Sequence, residues 1–292
     1  MSKLRQKTDG LLNFSDYRKR SHRITYYIFI FLLIIFAMTA LLPVLWLFIT
    51  SFKTIQEINS IDYTLFPKTF RLGKMLEVWN KLNFGKYYIN TLVVVLGSVI
   101  CAVVFNALLA YAISVLKPVG YRIINALVLL GYMIPGALAI FPLVMQIRSL
   151  HLINSYIPLW FAFGANAYYY LLFKDYFTKM PSSLIEAARM DGLSDLKIFI
   201  RVVLPLSKPI MGVVAIFAMT AAYSDFLLPY QVLQKTNMQT VMVAIYNLGT
   251  TNTVDASEFL MLLVISIIPQ LILFAVFQKQ IMNQSVNSGM KD

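Results

Sequence analysis

"PSSLIEAARMDGLSDLKIFIRVVLPLSKP", residues Pro181 to Pro209, is a polar, tightly punctuated insert set between apolar runs long enough to cross a bilayer. Pro181 stops the run before it. Ser183 opens "SLIE", the pattern of a capping box, in which the Ser183 hydroxyl serves a helix amide while Glu186 reaches back to the Ser183 amide. The helix so started runs to about Met190, and Gly192 supplies the left-handed residue that ends helices. Ser194 or Asp195 caps a second helix reaching Val203, and Pro205 and Pro209 close it. The expectation is two short helices at a fixed turn, with Leu184, Ile185, Ala187 and Ala188 available to a groove on a partner. An amphipathic loop lying on the bilayer surface is the alternative that these residues leave open.

The rest of the chain says which bilayer arrangement surrounds the insert. Of the 292 residues 59% are hydrophobic and 13% charged, with a mean hydropathy of +0.71. Globular domains are about 45–50% apolar and about 25% charged, so this is an integral membrane protein. A span takes about 20 mostly apolar residues. Six such runs occur, at 25–51, 88–115, 122–147, 156–178, 208–231 and 257–279, which predicts an all-α polytopic membrane protein with six transmembrane helices. The first run is too long for a signal-peptide core and lacks a small-residue cleavage pattern, so it reads as a retained anchor. "MIPGALAIFP" in the third run and "IIPQ" in the sixth predict kinks, tolerated where neighbours satisfy the freed backbone groups.

Charge sets the orientation. Seventeen of the 25 Lys and Arg lie in the terminal segments (1–24 and 283–292, with Lys279) and in the loops at Lys117 to Arg122 and Lys174 to Lys208, starting with "RKRSHR" at Arg18 to Arg23. Positive loops stay cytoplasmic, which places both termini and the 181–205 insert there and residues 53–86 on the outside as a small cap. The net charge of +12 and pI near 9.6 are therefore explained by topology, and nucleic acid is not an expected partner. Membrane lipid is.

Several chemistries find no support. The one cysteine, Cys101, sits in an apolar run, so neither an internal disulfide nor a Cys-based metal site is expected. His22 and His151 fall on opposite faces of the topology, against a His metal pair or a Ser/His catalytic arrangement. The fourteen Met are scattered and read as packing. No phosphate loop occurs: "LGKM" at Leu72 and "FGKY" at Phe84 lack both the spacing and the hydroxyl. This polypeptide is not expected to be an enzyme.

The insert has a specific likeness. Glu186, Ala187 and Ala188, then three residues, Gly192, nine residues, Val202, one residue, and Leu204-Pro205 resemble the EAA loop of ABC-importer permeases, with Val in place of the usual Ile. "EAARMDG", with Asp191 before the glycine, is similar to the carbohydrate-uptake branch, the relatives of the six-span maltose-transporter subunit. The resemblance runs along the chain through "LPVLWLFITSFK" (Leu42), "LFP" (Leu65), "YYINTLVVV" (Tyr87), "LLAYAIS" (Leu108), "YMIPGALAIFPL" (Tyr132) and "IIPQLILFAVFQKQIM" (Ile267). Two places depart from it: Tyr223-Ser224-Asp225-Phe226 stands where Trp-Asn-Asp/Glu-Phe is usual, and the tail "SVNSGMKD" only loosely follows the family's ending.

The resemblance implies a type I ABC importer transmembrane domain in the bacterial cytoplasmic membrane, forming half of a translocation pathway for a carbohydrate of oligosaccharide size. It implies a homologous second permease, two ATP-binding subunits that hold the ATP and Mg²⁺, and an extracytoplasmic solute-binding protein. The ATPase-coupling residues it implies are Glu186, Ala187, Ala188, Asp191, Gly192, Leu204 and Pro205. For the solute path, Asn90, Asn106, Asn166, Tyr223, Asp225 and Gln231 are polar candidates within or at the ends of spans, and Tyr168 to Tyr170 could stack on sugar faces. Aromatic residues at span ends also serve as interface anchors. The alternatives are a permease for a non-sugar solute and an ATP-independent channel or secondary carrier. The near absence of ionisable groups at the span centres argues against an ion-coupled carrier.

Overall fold

Apolar runs that must satisfy their own amides form helices, and every regular element described is helical. The structure, a computed structural model, describes residues 20–62, 64–251 and 253–289, with side chains from 24 to 278. Arg18 to Arg23, His22 and the tail from Ser285 lie outside the described side chains.

Residues up to Leu72 form one unit. Its α1 (Arg20–Ser51) carries Pro43 inside the helix, and none of its side chains from Ile24 to Ile49 is buried, whereas Thr50 and Ser51 are. α2 (Ile55–Ile58) begins on a complete capping box between Thr54 and Glu57. The second Glu57 oxygen receives the Lys68 amide at 3.1 Å, and the Lys53 ammonium donates to the Thr64 carbonyl, tying this loop to itself.

The second unit starts at Gly73. It runs through α3 (Lys74–Lys81), α4 (Gly85–Tyr111) with a π turn to Leu116, α5 (Tyr121–Met133), α6 (Gly136–Ser149), α7 (Ile157–Gly164) and α8 (Ala167–Thr178). There follow α9 (Ser182–Met190), α10 (Asp195–Ile198), a π turn Phe199–Val203, α11 (Leu204–Leu206), α12 (Lys208–Ser224), α13 (Leu227–Val232), α14 (Val241–Thr250) and α15 (Ala256–Gly289).

α4 is the axis of this unit, packed by α7, α8 and α12. Small residues let it be approached: Ala102, Ala107 and Ala110 are fully buried against Tyr170, Phe173 and Val214. At Gly97 a β-carbon would lie 2.2 Å from the Trp160 indole nitrogen, whose N–H donates to the Val93 carbonyl at 3.2 Å. No larger residue fits there without moving the indole.

Three described helices are long and apolar enough to cross a membrane alone, α1, α4 with its π turn, and α15. Two bent pairs, α5 with α6 and α10–α11 with α12, raise the number to five. The run at 156–178 is a difference from the uninterrupted span expected: it is two short helices broken at Ala165 and Asn166. The break is stable because both ends are satisfied. Asn106 donates to the Phe163 carbonyl at 3.0 Å, and the Asn166 side chain accepts the Tyr169 amide at 3.2 Å.

Candidate coupling segment

Three local rules build the segment after α8. Helix α9 starts two residues earlier than the capping-box reading requires, because Pro181, extended at ψ 125°, takes the cap position. Ser183 is thereby drawn inside the first turn, and no side-chain cap bond forms, so the Ser183–Glu186 box is corrected. The end of α9 follows expectation. Gly192 has φ +77°, its amide donates to Arg189 O at 2.9 Å, and the Leu193 amide donates to Ala188 O at 3.1 Å. These are the two bonds of a Schellman motif, with Leu193 packed on the core beside them.

Ser194 takes cap geometry for α10 without a side-chain bond. The second helix does reach Val203 but widens into a π turn just before Pro205, the residue with no amide to return to Arg201. The closing role given to the prolines is also corrected: Pro205 lies in the first turn of α11 and Pro209 in the first turn of α12, where a missing amide costs nothing.

The face of α9 differs from the sequence expectation as well. Ile185 and Ala188 turn into this chain's own core with Ile198, Phe199 and Val203. Leu184, Glu186, Ala187 and Met190 are left outside, Met190 at 88% exposed. Asp191 and Gly192 stand beside them, and nothing lies within 4 Å of where a Gly192 β-carbon would be. The arrangement can offer a short helix with a bare outer face and a bolted inner one.

One ion pair ties the α9–α10 turn together, and bonds from Tyr111, Tyr176 and Ser207 carry α9–α11 into the membrane helices. Arg189 pairs with Asp195 at 3.2 Å across the turn. The Tyr111 hydroxyl on α4 donates to Asp195 O at 3.1 Å, and its ring packs 5.1 Å from that of Phe199. The Tyr176 hydroxyl on α8 donates to Leu206 O at 2.7 Å. Ser207, fully buried, then makes the 80° bend into α12, its hydroxyl donating to Val203 O at 2.6 Å. Leu204 packs on the same core, while Pro205 is exposed. Tyr111, Tyr176 and Ser207 escaped the sequence reading because their partners are carbonyls, which leave no signature in a side-chain pattern.

The solute-path candidates are not brought together. Asn90 donates to Asn237 O and Gln239 O at 3.0 and 2.9 Å, and Asn106, 1% exposed, serves Ala102 O and Phe163 O. Asn166 caps α8, and Tyr223 donates to Ser266 O at 2.7 Å. Asp225 ends α12 with its carboxylate turned to the amides of Phe226, Leu227 and Leu228, at the start of α13. Gln231 is exposed and shares a cavity of about 510 Å³ with Phe141, Met145 and Arg148. Tyr168 is 39% exposed, whereas Tyr169 and Tyr170 are buried, Tyr170 donating to Asn125 at 2.8 Å. Among the described residues no group of three His, Cys, Asp or Glu could hold a metal ion.

Outside the spans, α3 is fastened to the start of α15 by two lysines. Lys74 donates to Ser257 at 2.5 Å, and Lys81 pairs with Glu258, whose hydrogen bond and charge raise the Lys81 ammonium above its ordinary value.

Residues 102–287 match the family model described as the binding-protein-dependent transport system inner membrane component. The chain is 31% identical over 262 residues to the diacetylchitobiose uptake system permease protein of Streptomyces coelicolor, covering 88% of this chain and 86% of the relative. It is 28% identical to the arabinooligosaccharides transport system permease protein of Bacillus subtilis, covering 86% and 90%. Its fold matches a chain in the crystal structure of a bacterial ABC transporter involved in the import of the acidic polysaccharide alginate, with a TM-score of 0.80 and 25% identity over 89% of this chain and 98% of that one. A multi-pass helical protein with a bolted, outward-facing α9 and this likeness along nearly its whole length belongs to the binding-protein-dependent inner-membrane components, the permease subunits of ABC importers.

Proposed function

We propose that this chain forms half of the translocation pathway for a carbohydrate of oligosaccharide size, paired with a homologous permease and fed by an extracytoplasmic solute-binding protein. Two ATP-binding subunits drive it, one of them seated on α9 through Glu186, Ala187, Asp191 and Gly192. Ala188 and Leu204 hold that helix in place from within, and exposed Pro205 completes the coupling segment. The ATP and Mg²⁺ belong to those partner subunits. In this reading both termini and α9 face the cytoplasm, and residues 53–86 face outward.

The observation that carries the proposal is the two-sidedness of α9: its inner face is buried with Ile185 and Ala188, and its outer face is bare. A helix held only by lipid would need an apolar outer face, but Glu186 and Asp191 put carboxylates there. Because α9–α11 is bonded to α4, α8 and the Ser207 bend, a push on α9 is delivered to three membrane helices together, as a hinge-type transition requires. The carbohydrate assignment is supported by the relatives, whose names specify oligosaccharides and a polysaccharide.

The experiment is to tag this chain in its native membrane, extract it gently, identify what copurifies, and assay the eluate for ATP hydrolysis. A second permease and an ATPase are expected; a lone homo-oligomer without ATPase would favour the channel or carrier. Uptake of a labelled oligosaccharide panel, with sn-glycerol 3-phosphate as the non-sugar control, then tests the solute. Unchanged uptake of every sugar in cells lacking the chain overturns the carbohydrate assignment.

A further inference from the structure

A proline within a helix removes one amide from the ladder, and the carbonyl four residues earlier loses its partner. In α15 that proline is Pro269 and the carbonyl is that of Ile265, 1% exposed. In an apolar setting such a carbonyl needs a donor from elsewhere. The structure supplies one: the Tyr88 hydroxyl on α4 donates to Ile265 O at 2.7 Å. The next carbonyl along, that of Ser266, receives the Tyr223 hydroxyl of α12, also at 2.7 Å. Two phenols from two different helices thus converge on the two carbonyls beside one proline.

The same place is underpacked. A groove of about 280 Å³, open at the surface beside exposed Leu92 and Ile272, runs along Tyr88, Tyr223 and Pro269. Interiors close-packed at crystal density leave no room for an element to move, so the open groove against the proline gives α15 somewhere to go. Proline is also where long helices bend. A break in the ladder, two exchangeable donors and free volume together make an element with two arrangements.

We propose that Tyr88 and Tyr223 are positioning residues that set α15 in the arrangement seen here, and that their two hydroxyl bonds to Ile265 and Ser266 are released when α15 moves during transport. The tyrosines touch no solute in this account; they act through the proline break. The proposal rests on the ATP coupling put forward above but not on the solute assignment.

The test uses the whole transporter in nanodiscs, with spin labels on cysteines replacing Ile100 of α4 and Val276 of α15, both exposed on this chain, in a Cys101→Ala background. Distances are measured before and after trapping the ATPase with ATP and vanadate, which requires no transported solute. The unmodified protein should change its distance distribution on trapping. Tyr88→Phe with Tyr223→Phe should shift the populations toward the trapped distribution before nucleotide is added, by about tenfold for two hydrogen bonds in a membrane interior. Pro269→Ala restores the missing amide, so in that background Tyr88→Phe should have no further effect. A transporter that hydrolyses no ATP fails the coupling reading instead. One that hydrolyses ATP with an unmoved α15 overturns this proposal, as does a Tyr88→Phe effect of equal size with and without Pro269. If each single Tyr→Phe variant prevents assembly of the transporter, the tyrosines are static supports and the proposal also falls.

Discussion

Two sharp bends in the second unit are made in opposite ways. Between α11 and α12 the chain turns by 80° at Ser207, and between α5 and α6 by 107° at Ile134 and Pro135. At the first, Ser207 is fully buried, its amide and hydroxyl both return to Val203 O, and Tyr176 holds the neighbouring Leu206 carbonyl. At the second, Ile134 is extended because a residue before proline avoids the helical region, and Met133, Ile134 and Leu138 are all more than half exposed. The first bend is closed by its own chain, as the proposed transmission of a push from α9 requires. The second is left for lipid or another polypeptide to cover.

The largest break in this contrast should come at the entry to the clamped side. Gly192→Val puts a β-branched residue at φ +77°, a conformation costing about 1–2 kcal/mol for an ordinary residue, and projects it from the bare face of α9. Membrane insertion should persist while ATP-driven uptake is lost. Gly192→Asn, which tolerates left-handed backbone, separates strain from bulk: uptake should recover in part. Wild-type uptake by Gly192→Val would remove the coupling role from this turn.

Next is the bend itself. Ser207→Ala deletes the buried bond to Val203 and should lower stability by about 1 kcal/mol, read as a lower melting temperature in detergent. By contrast Gly136→Ala at the open bend meets nothing within 4 Å and has no positive φ, so it should change stability by no more than about 0.5 kcal/mol. Equal effects at the two sites would erase the distinction between them.

The smallest effect expected is at Lys81, far from both bends. Its value is raised in the folded protein by Glu258, so the contribution of the pair is present below the ordinary lysine range and is lost only as pH rises through the raised value. Melting temperature measured from pH 7 to 9 should therefore be the same for Lys81→Gln and the unmodified protein relative to their values at pH 7.

The helices were legible where periodicity was not needed. The apolar run at 88–115 lies within α4 and its π turn, and Gly192 ends α9 as its position in the insert predicts. What the sequence concealed were bonds between a side chain and a distant carbonyl. Asn106 looks like a polar residue lining a path until Phe163, 57 positions on, is seen to need its amide. Tyr223 looks the same until Ser266 is placed beside it. The Ser183–Glu186 pattern failed for a local reason: Pro181 takes the cap position, and a shift of two positions undoes a box. Which face of α9 turns inward could not be read because both faces carry small and apolar residues, and the choice is made by Ile198 and Phe199 beyond the turn.

Asn90 and Thr91 on α4 hold the segment before α14: Asn90 donates to Asn237 O and Gln239 O, and Thr91 accepts the Val241 amide at 2.9 Å. These partners are separated by as many as 150 residues. A ribosome adding about 5–20 residues per second delivers the second half many seconds after the first has entered the bilayer. During that interval the Asn90 amide awaits its acceptors, while the Thr91 hydroxyl already donates to Tyr87 O within α4, and a helix with an unmet amide is what membrane chaperones and proteases meet in a nascent chain. A chain cut short before Asn237 would keep five of its six apolar runs and still never finish α4, so its lifetime in the cell would report on the last fifth of the protein.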